Sequence, residues 1–240
     1  MIVTGATSGI GHAIAERCLD EGAVVVASGR RPEPLRELQA AHGDRLVPVT
    51  ADLAADGECA RLVAAATERG PLAGVVHAAG TVWRGEDTTH TTTAAFLAFM
   101  TANLAPAFTL TSAAAEAMAA AGGGSIVLVG SQLAHVGIAG YETYTAAKGG
   151  VTAMARSFAA ELGPRGVRVN VLAPGVVRTP MAYVDREDFD ELEAGIAERH
   201  PLRRIGVPGD LAGPAVFLLS DDAAWVTGQT LIVDGGFTAV

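Results

Sequence analysis

Seven short Val/Ile-rich runs alternate with Ala-rich stretches of helical period along this 240-residue chain, and that alternation constrains the fold more than any other feature. The runs expected to be strands are Ile2–Thr4, Ala23–Ser28, Leu46–Thr50, Gly74–Ala78, Ser125–Val129, Val167–Leu172 and Thr230–Val233. Helices are expected over Gly11–Glu21, Pro32–His42, Asp56–Arg69, Thr91–Ala121, Tyr141–Leu162 and Pro208–Leu219. Pro106 should kink or restart the fourth of these, because it lacks the N–H an inner turn needs. Runs such as AVVVAS are apolar at every position, as strands covered on both faces must be. Strand–helix alternation of this kind predicts an α/β fold with a parallel sheet between two helical layers. No linker or repeat interrupts it, so residues 1–240 are read as one domain.

Composition narrows the partners. Lys+Arg 17 against Asp+Glu 26 gives a net charge of −9, which disfavours nucleic acid and anionic membrane surfaces. No run approaches the ~20 apolar residues of a membrane span, and the N-terminus shows no basic leader. Cys18 and Cys59 read as reduced core thiols, which suits the cytoplasm. His12, His42, His77, His90, His135 and His200 show no metal-ligand spacing, so no metal is expected.

The segment Thr4-Gly5-Ala6-Thr7-Ser8-Gly9-Ile10-Gly11 joins the first strand to the first helix. Glycines there let backbone approach a pyrophosphate while the helix N-terminus faces the anion. A site for NAD usually carries a carboxylate after the second strand, on the ribose hydroxyls. This chain has Ser28-Gly29-Arg30-Arg31 instead, and forked guanidiniums suit a 2′-phosphate. NADP(H) is therefore expected over NAD(H).

Among sixteen arginines there is one lysine, Lys148, four residues after Tyr144. In a helix that spacing puts both on one face. A nearby cation favours phenolate and lowers the phenol pKa from its ordinary ~10. The hydroxyl could then exchange a carbinol proton while hydride moves to or from nicotinamide. Ser131 lies just past the fifth strand, at the sheet edge where ligands bind, and could orient a carbonyl oxygen. Asn103, three residues before Pro106, falls where helical bonding should be irregular.

Together these motifs resemble the classical short-chain dehydrogenase/reductase family along essentially the whole chain. The matching positions are Thr4-Gly5-x3-Gly9-x-Gly11, Asp52, Ala78-Ala79-Gly80, Asn103, Ser131, Tyr144-x3-Lys148, Pro174-Gly175 with Thr179, and Asp234-Gly235-Gly236. Ser131 stands thirteen residues before Tyr144, and Tyr141 is followed at +4 by Thr145 rather than lysine. The resemblance implies a single Rossmann domain with a seven-stranded sheet in the order 3-2-1-4-5-6-7. It implies Ser131 as carbonyl stabiliser, Tyr144 as acid/base, Lys148 on the nicotinamide ribose and Asn103 on a relay water. For the cofactor it implies Gly5, Thr7, Ser8, Gly9, Ile10, Gly11, Ser28, Arg30, Arg31, Asp52, Leu53, Ala79, Gly80, Pro174, Gly175, Val177 and Thr179. It further implies a homotetramer or dimer built on the two long helices.

One departure stands out. The usual Asn-Asn-Ala-Gly is His77-Ala78-Ala79-Gly80, which removes side chains that tie the central sheet. His77 is read as a satisfied core histidine. The acidic stretch 181–204 is expected to form a lid, with Gln132, His135, Tyr141 and Met181 as pocket walls. A β-ketoacyl thioester is the first substrate expected, in keeping with Pro201-Leu202-Arg203-Arg204-Ile205-Gly206 and Thr227-Gly228-Gln229. Sugar, polyol or cyclic-alcohol oxidation is the alternative, and a non-catalytic nucleotide sensor a remote one.

Overall fold

The computed structural model describes residues 1–83, 88–183 and 189–240. Seven strands form one parallel sheet in the order β3-β2-β1-β4-β5-β6-β7: β1 Ile2–Thr4, β2 Val25–Gly29, β3 Leu46–Thr50, β4 Gly74–His77, β5 Gly124–Val129, β6 Val167–Pro174 and β7 Thr230–Val233. The strand order reverses between β1 and β4. That switch point opens a crevice beyond the carboxyl ends of the strands.

Two apolar layers sandwich the sheet. Helices α1 (Gly9–Asp20), α2 (Pro32–His42) and α9 (Gly209–Leu219) bury Ile14, Leu19, Leu35, Leu38, Leu211 and Leu218 on one face. Helices α3 (Glu58–Thr67), α5 (Ala105–Ala120) and α6 (Glu142–Leu162) cover the other, burying Leu62, Leu110, Met118, Val151 and Leu162 with Ile126 and Leu128, and α4 (Thr93–Asn103) packs on α5 and α6. Both sheet faces are therefore dry, which is why β2 and β5 carry apolar residues without alternation.

The expected 91–121 helix is a bent pair. It breaks at Leu104, and Pro106 sits in the first turn of α5, where its missing N–H costs nothing. Thr92 caps α4, its hydroxyl accepting from the Ala95 N–H at 3.2 Å. One expectation is corrected here: taken together, 93–120 is 28 residues long and apolar enough, by length and composition, to cross a bilayer. Pro106, Ala107, Leu110, Ala114 and Met118 of this stretch are nonetheless buried, packed as one stripe against the sheet. β6 also runs two residues further than expected, to Pro174, because β7 continues to pair with it.

The expected lid begins in α7 (Pro180–Tyr183) and continues in α8 (Phe189–Glu198); residues 184–188 lie outside the described residues. Its base is closed by a bridge between Val177 and Gly206, with Arg178 N–H donating to the Gly206 carbonyl and Gly206 N–H to that of Val176, both at 2.8 Å. Arg204 forks onto both Asp210 oxygens at 2.6 and 2.9 Å. The C-terminal turn packs beside this base: Gly235 carbonyl accepts from Leu202 N–H, and the Phe237 ring lies 5.2 Å from that of His200.

Candidate active site

Three backbone segments converge at the carboxyl edge near the switch point. The β1–α1 loop passes so close to the β4 end that a Cβ on Gly5 would lie 2.8 Å from Ala78 and Ala79 backbone atoms. A Cβ on Gly11 would lie 2.4 Å from the Gly5 carbonyl oxygen. Only glycine permits this fold-back, which aims the first turn of α1 outward. Ser8 makes no side-chain cap on α1, and no acidic residue stands in its first turn. Its leading N–H groups and dipole are therefore available to an anion. Thr179 closes the loop from the far side, its Cγ2 3.0 Å from where a Gly9 Cβ would stand.

Beyond β2, Arg30 and Arg31 are exposed, and Arg31 donates to the Thr7 carbonyl at 3.1 Å. Ser28 is fully buried and its hydroxyl has no partner, so its side chain offers nothing to a ligand outside. Asp52 is exposed past β3, with Oδ1 accepting from Ala54 N–H, while Leu53 is buried beside it. Val177 packs into the core, leaving only its backbone for a ligand. Gly175 has no room for a Cβ, which would fall 2.7 Å from Asp234 Cα.

Thr4 sits where this crevice meets the sheet. Its hydroxyl oxygen accepts from Ala78 and Ala79 N–H groups, each at 3.2 Å, which uses both lone pairs. Its single proton is then directed to His77 Nδ1 at 3.0 Å. His77 is thus neutral, with its proton on Nε2, and that buried N–H has no partner. Burial first, and the Lys148 charge second, push the imidazole down to about 3. The expected satisfied histidine is therefore satisfied on one nitrogen only. Thr4 and His77 together supply the tie that the missing asparagines would have made.

Tyr144 and Lys148 project from one face of α6, as their spacing implied. The Lys148 ammonium is buried, donates to the Val129 carbonyl at 2.9 Å and lies 5.8 Å from the Tyr144 ring centroid. Burial lowers its pKa to about 8. The phenol does not follow the expectation of a lowered pKa. Burial pushes it up to about 12, only partly offset by its hydrogen bond with Ser131, while Tyr141 raises it further. Lys148 is turned toward a carbonyl rather than the phenol oxygen, so desolvation prevails over the cation in this arrangement. Ser131 Oγ also accepts from Leu133 N–H at 3.1 Å, which fixes its direction.

Asn103 ends α4. Its Oδ1 accepts from Thr81 N–H at 2.7 Å, and its Nδ2 donates to Thr81 Oγ1 at 3.2 Å and to the Phe99 carbonyl at 3.1 Å. A Cβ on Gly80 would fall 3.0 Å from Asn103 Oδ1 and 3.8 Å from Lys148 Nζ, so these groups share one small space.

Of the expected pocket walls, Tyr141 packs edge-on against Tyr144 with centroids 6.4 Å apart. Gln132 is buried with Oε1 unpartnered, His135 is exposed after the turn that Ser131 caps, and Met181 is exposed in α7. The sequence reading missed Trp83 and Phe99. Phe99 lies 6.3 Å from the Tyr144 ring, and Trp83 lies 5.7 Å from Phe99. A tryptophan six residues past the end of β4, in a chain with only two, was the available signal. No cluster of potential metal ligands occurs among the described residues.

A family model described as enoyl-(acyl carrier protein) reductase matches residues 5–238. L-rhamnose 1-dehydrogenase (NAD(P)(+)) of Azotobacter vinelandii is 39% identical, over 98% of this chain and 95% of that protein. 2-(R)-hydroxypropyl-CoM dehydrogenase of Xanthobacter autotrophicus is 35% identical, over 100% and 98%. The structure of an actinorhodin polyketide ketoreductase variant with NADPH superposes with a TM-score of 0.93 at 34% identity, covering 100% of this chain and 97% of that one. Fold, motif spacing and these likenesses agree: the chain belongs to the classical short-chain dehydrogenase/reductase family.

Proposed function

We propose that this protein is an NAD(P)(H)-dependent oxidoreductase that interconverts a carbonyl and a secondary alcohol, with NADP(H) preferred. One observation carries the reading: the buried Lys148 ammonium lies 5.8 Å from the Tyr144 ring centroid, one turn along α6, at the sheet edge where Ser131 and the glycine loop also stand. The crevice suits a dinucleotide because glycine at Gly5 and Gly11 lets the loop fold back on its own backbone and turn the uncapped first turn of α1 outward. Gly5, Thr7, Gly9, Ile10 and Gly11 with the α1 N-terminus would hold the pyrophosphate. Asp52, Ala79 and Gly80 would flank the adenosine side, Arg30 and Arg31 a 2′-phosphate, and Pro174, Gly175, Val177 and Thr179 the nicotinamide side. Bound there, the nicotinamide gives or takes the hydride.

The remaining chemistry belongs to the chain. A phenol near 12 is fully protonated at neutral pH. It can donate to a carbonyl oxygen as reduction proceeds, while Ser131 holds the same oxygen in line. Lys148, near 8, is still mostly charged at pH 7. Its ammonium sits in the space it shares with Asn103 and Gly80, where it can bind a ribose hydroxyl or pass a proton.

For the substrate, the names of the similar proteins favour a sugar or other small secondary alcohol over the β-ketoacyl thioester. The polyketide ketoreductase likeness keeps the thioester as a second reading, although an acidic carrier protein should avoid a surface of net charge −9. Residues 181–204 would cover the substrate. We also infer a homotetramer or dimer formed through α5 and α6, where Phe108 is 53% exposed and its ring lies 5.6 Å from that of Phe158. Two free buried cysteines suit the cytoplasm.

The test is absorbance at 340 nm with NADP(H) and NAD(H), using L-rhamnose, cyclohexane-1,2-diol and acetoacetyl-CoA as substrates. Tyr144→Phe should lower kcat by roughly 10²–10⁴-fold with NADPH affinity retained. A variant that keeps wild-type kcat would remove Tyr144 from the chemistry.

A further inference from the structure

Four aromatic rings form one chain of contacts that includes the Tyr144 phenol: Trp83, Phe99, Tyr144 and Tyr141, with successive centroids 5.7, 6.3 and 6.4 Å apart. They are not equivalent. Phe99 is only 6% exposed and serves as the filling between Trp83 and Tyr144. Trp83, Tyr144 and Tyr141 are half-buried; with Tyr144 assigned to the chemistry, Trp83 and Tyr141 are the members left to present ring surface to a substrate.

The segment that carries Trp83 is tied down, two residues before the indole, by a single side chain. Asn103 grips Thr81 through backbone N–H and hydroxyl alike, and its remaining N–H grips the Phe99 carbonyl one turn back on α4. The segment carrying the indole and the ring it packs against are therefore held together from one point. That point also abuts Gly80 and the space of Lys148. An indole held this way, edge-on to Phe99 at 75°, forms a fixed wall two ring contacts from the Tyr144 phenol.

A rigid aromatic face attracts C–H bonds through its negative π cloud, and the gain scales with the flat surface laid on it. A ring-shaped substrate offers such a surface without freezing rotatable bonds, whereas a flexible chain must lose rotamer freedom to do so. We propose that Trp83, held in place by Asn103 through Thr81, is the specificity-determining residue that selects a cyclic secondary alcohol or ketone by stacking one face of its ring. This rests on the carbonyl/alcohol reading and narrows its substrate to a ring.

The experiment compares wild type, Trp83→Ala and Trp83→Phe on cyclohexane-1,2-diol and L-rhamnose against open-chain butane-2,3-diol, with NADP+. The expected result is a KM for the better cyclic substrate roughly five- to tenfold higher in Trp83→Ala. The open-chain KM should change less than twofold, and phenylalanine should restore most of the loss. A second readout is independent of turnover. In Trp225→Phe, which replaces a wholly exposed residue, Trp83 is the sole indole. Cyclic ligand added to the NADP+ complex should then quench fluorescence excited at 295 nm. Equal losses on cyclic and open-chain alcohols, an unchanged cyclic KM, absence of quenching, or turnover of open-chain substrates alone would each overturn the role of Trp83 while leaving the oxidoreductase reading intact. Absence of turnover with every substrate, despite NADPH binding, would sink both.

Discussion

Replacing His77 by asparagine should flatten the acid side of the stability profile, by an amount the structure supplies. The imidazole is neutral, buried and hydrogen-bonded through Nδ1 to the Thr4 hydroxyl, with its pKa near 3 against ~6.5 in an unfolded chain. The folded pKa lies below the unfolded one. Above pH 6.5 neither state binds the proton, and stability is complete. As pH falls from 6.5 toward 3, only the unfolded state binds it, and folding loses about 1.4 kcal/mol per pH unit. Between pH 7 and pH 5 that amounts to about 2 kcal/mol. Asparagine can still accept the Thr4 proton but does not titrate. Urea unfolding followed by circular dichroism at both pH values, at one protein concentration, measures the difference. Carboxylates common to both proteins cancel. The wild type should lose about 2 kcal/mol more than His77→Asn on acidification. Equal losses would mean that His77 is hydrated or already paired when folded, and the tautomer deduced from Thr4 would be wrong.

Cofactor selection separates the two arginines. Arg30→Ala should raise the NADP+ Kd by roughly 10-fold or more and leave that for NAD+ nearly unchanged, read by calorimetric titration. Arg31→Ala also removes the bond to the Thr7 carbonyl, so it should weaken both cofactors; parallel losses in Arg30→Ala would refute phosphate recognition. Gly11→Ala places a methyl 2.4 Å from the Gly5 carbonyl oxygen, a backbone atom that cannot rotate away. Its Tm should not rise when NADPH is added, in contrast to the wild type.

The fold was legible because its strands are apolar on both sides, a pattern that alternation with helices explains in one way. The break near Pro106 and the face shared by Tyr144 and Lys148 follow from spacing that local sequence carries, whereas strand order was implied by the family resemblance. Helix and strand ends moved by one or two residues, since caps and pairing partners set them: β6 reaches Pro174 only because β7 lies alongside. The phenol pKa was misjudged because spacing gives the distance to Lys148 but not the direction of its ammonium, which turns to the Val129 carbonyl. Trp83 was missed for a related reason. Its meaning comes from Asn103, twenty-two residues past Thr81, and no periodicity connects them.

The bridge between Val177 and Gly206 has an evolutionary consequence. Six of the seven strands are complete at Pro174, and α9 and then β7 resume from Gly209, so the chain between the two bridge residues leaves and returns at a single closed neck. Lengthening, shortening or rewriting that excursion shifts no strand register and disturbs no core layer. Such a neck makes the excursion a cassette: selection can exchange the cover over the reacting carbon while the nucleotide crevice and the Ser131–Tyr144–Lys148 geometry are inherited unchanged.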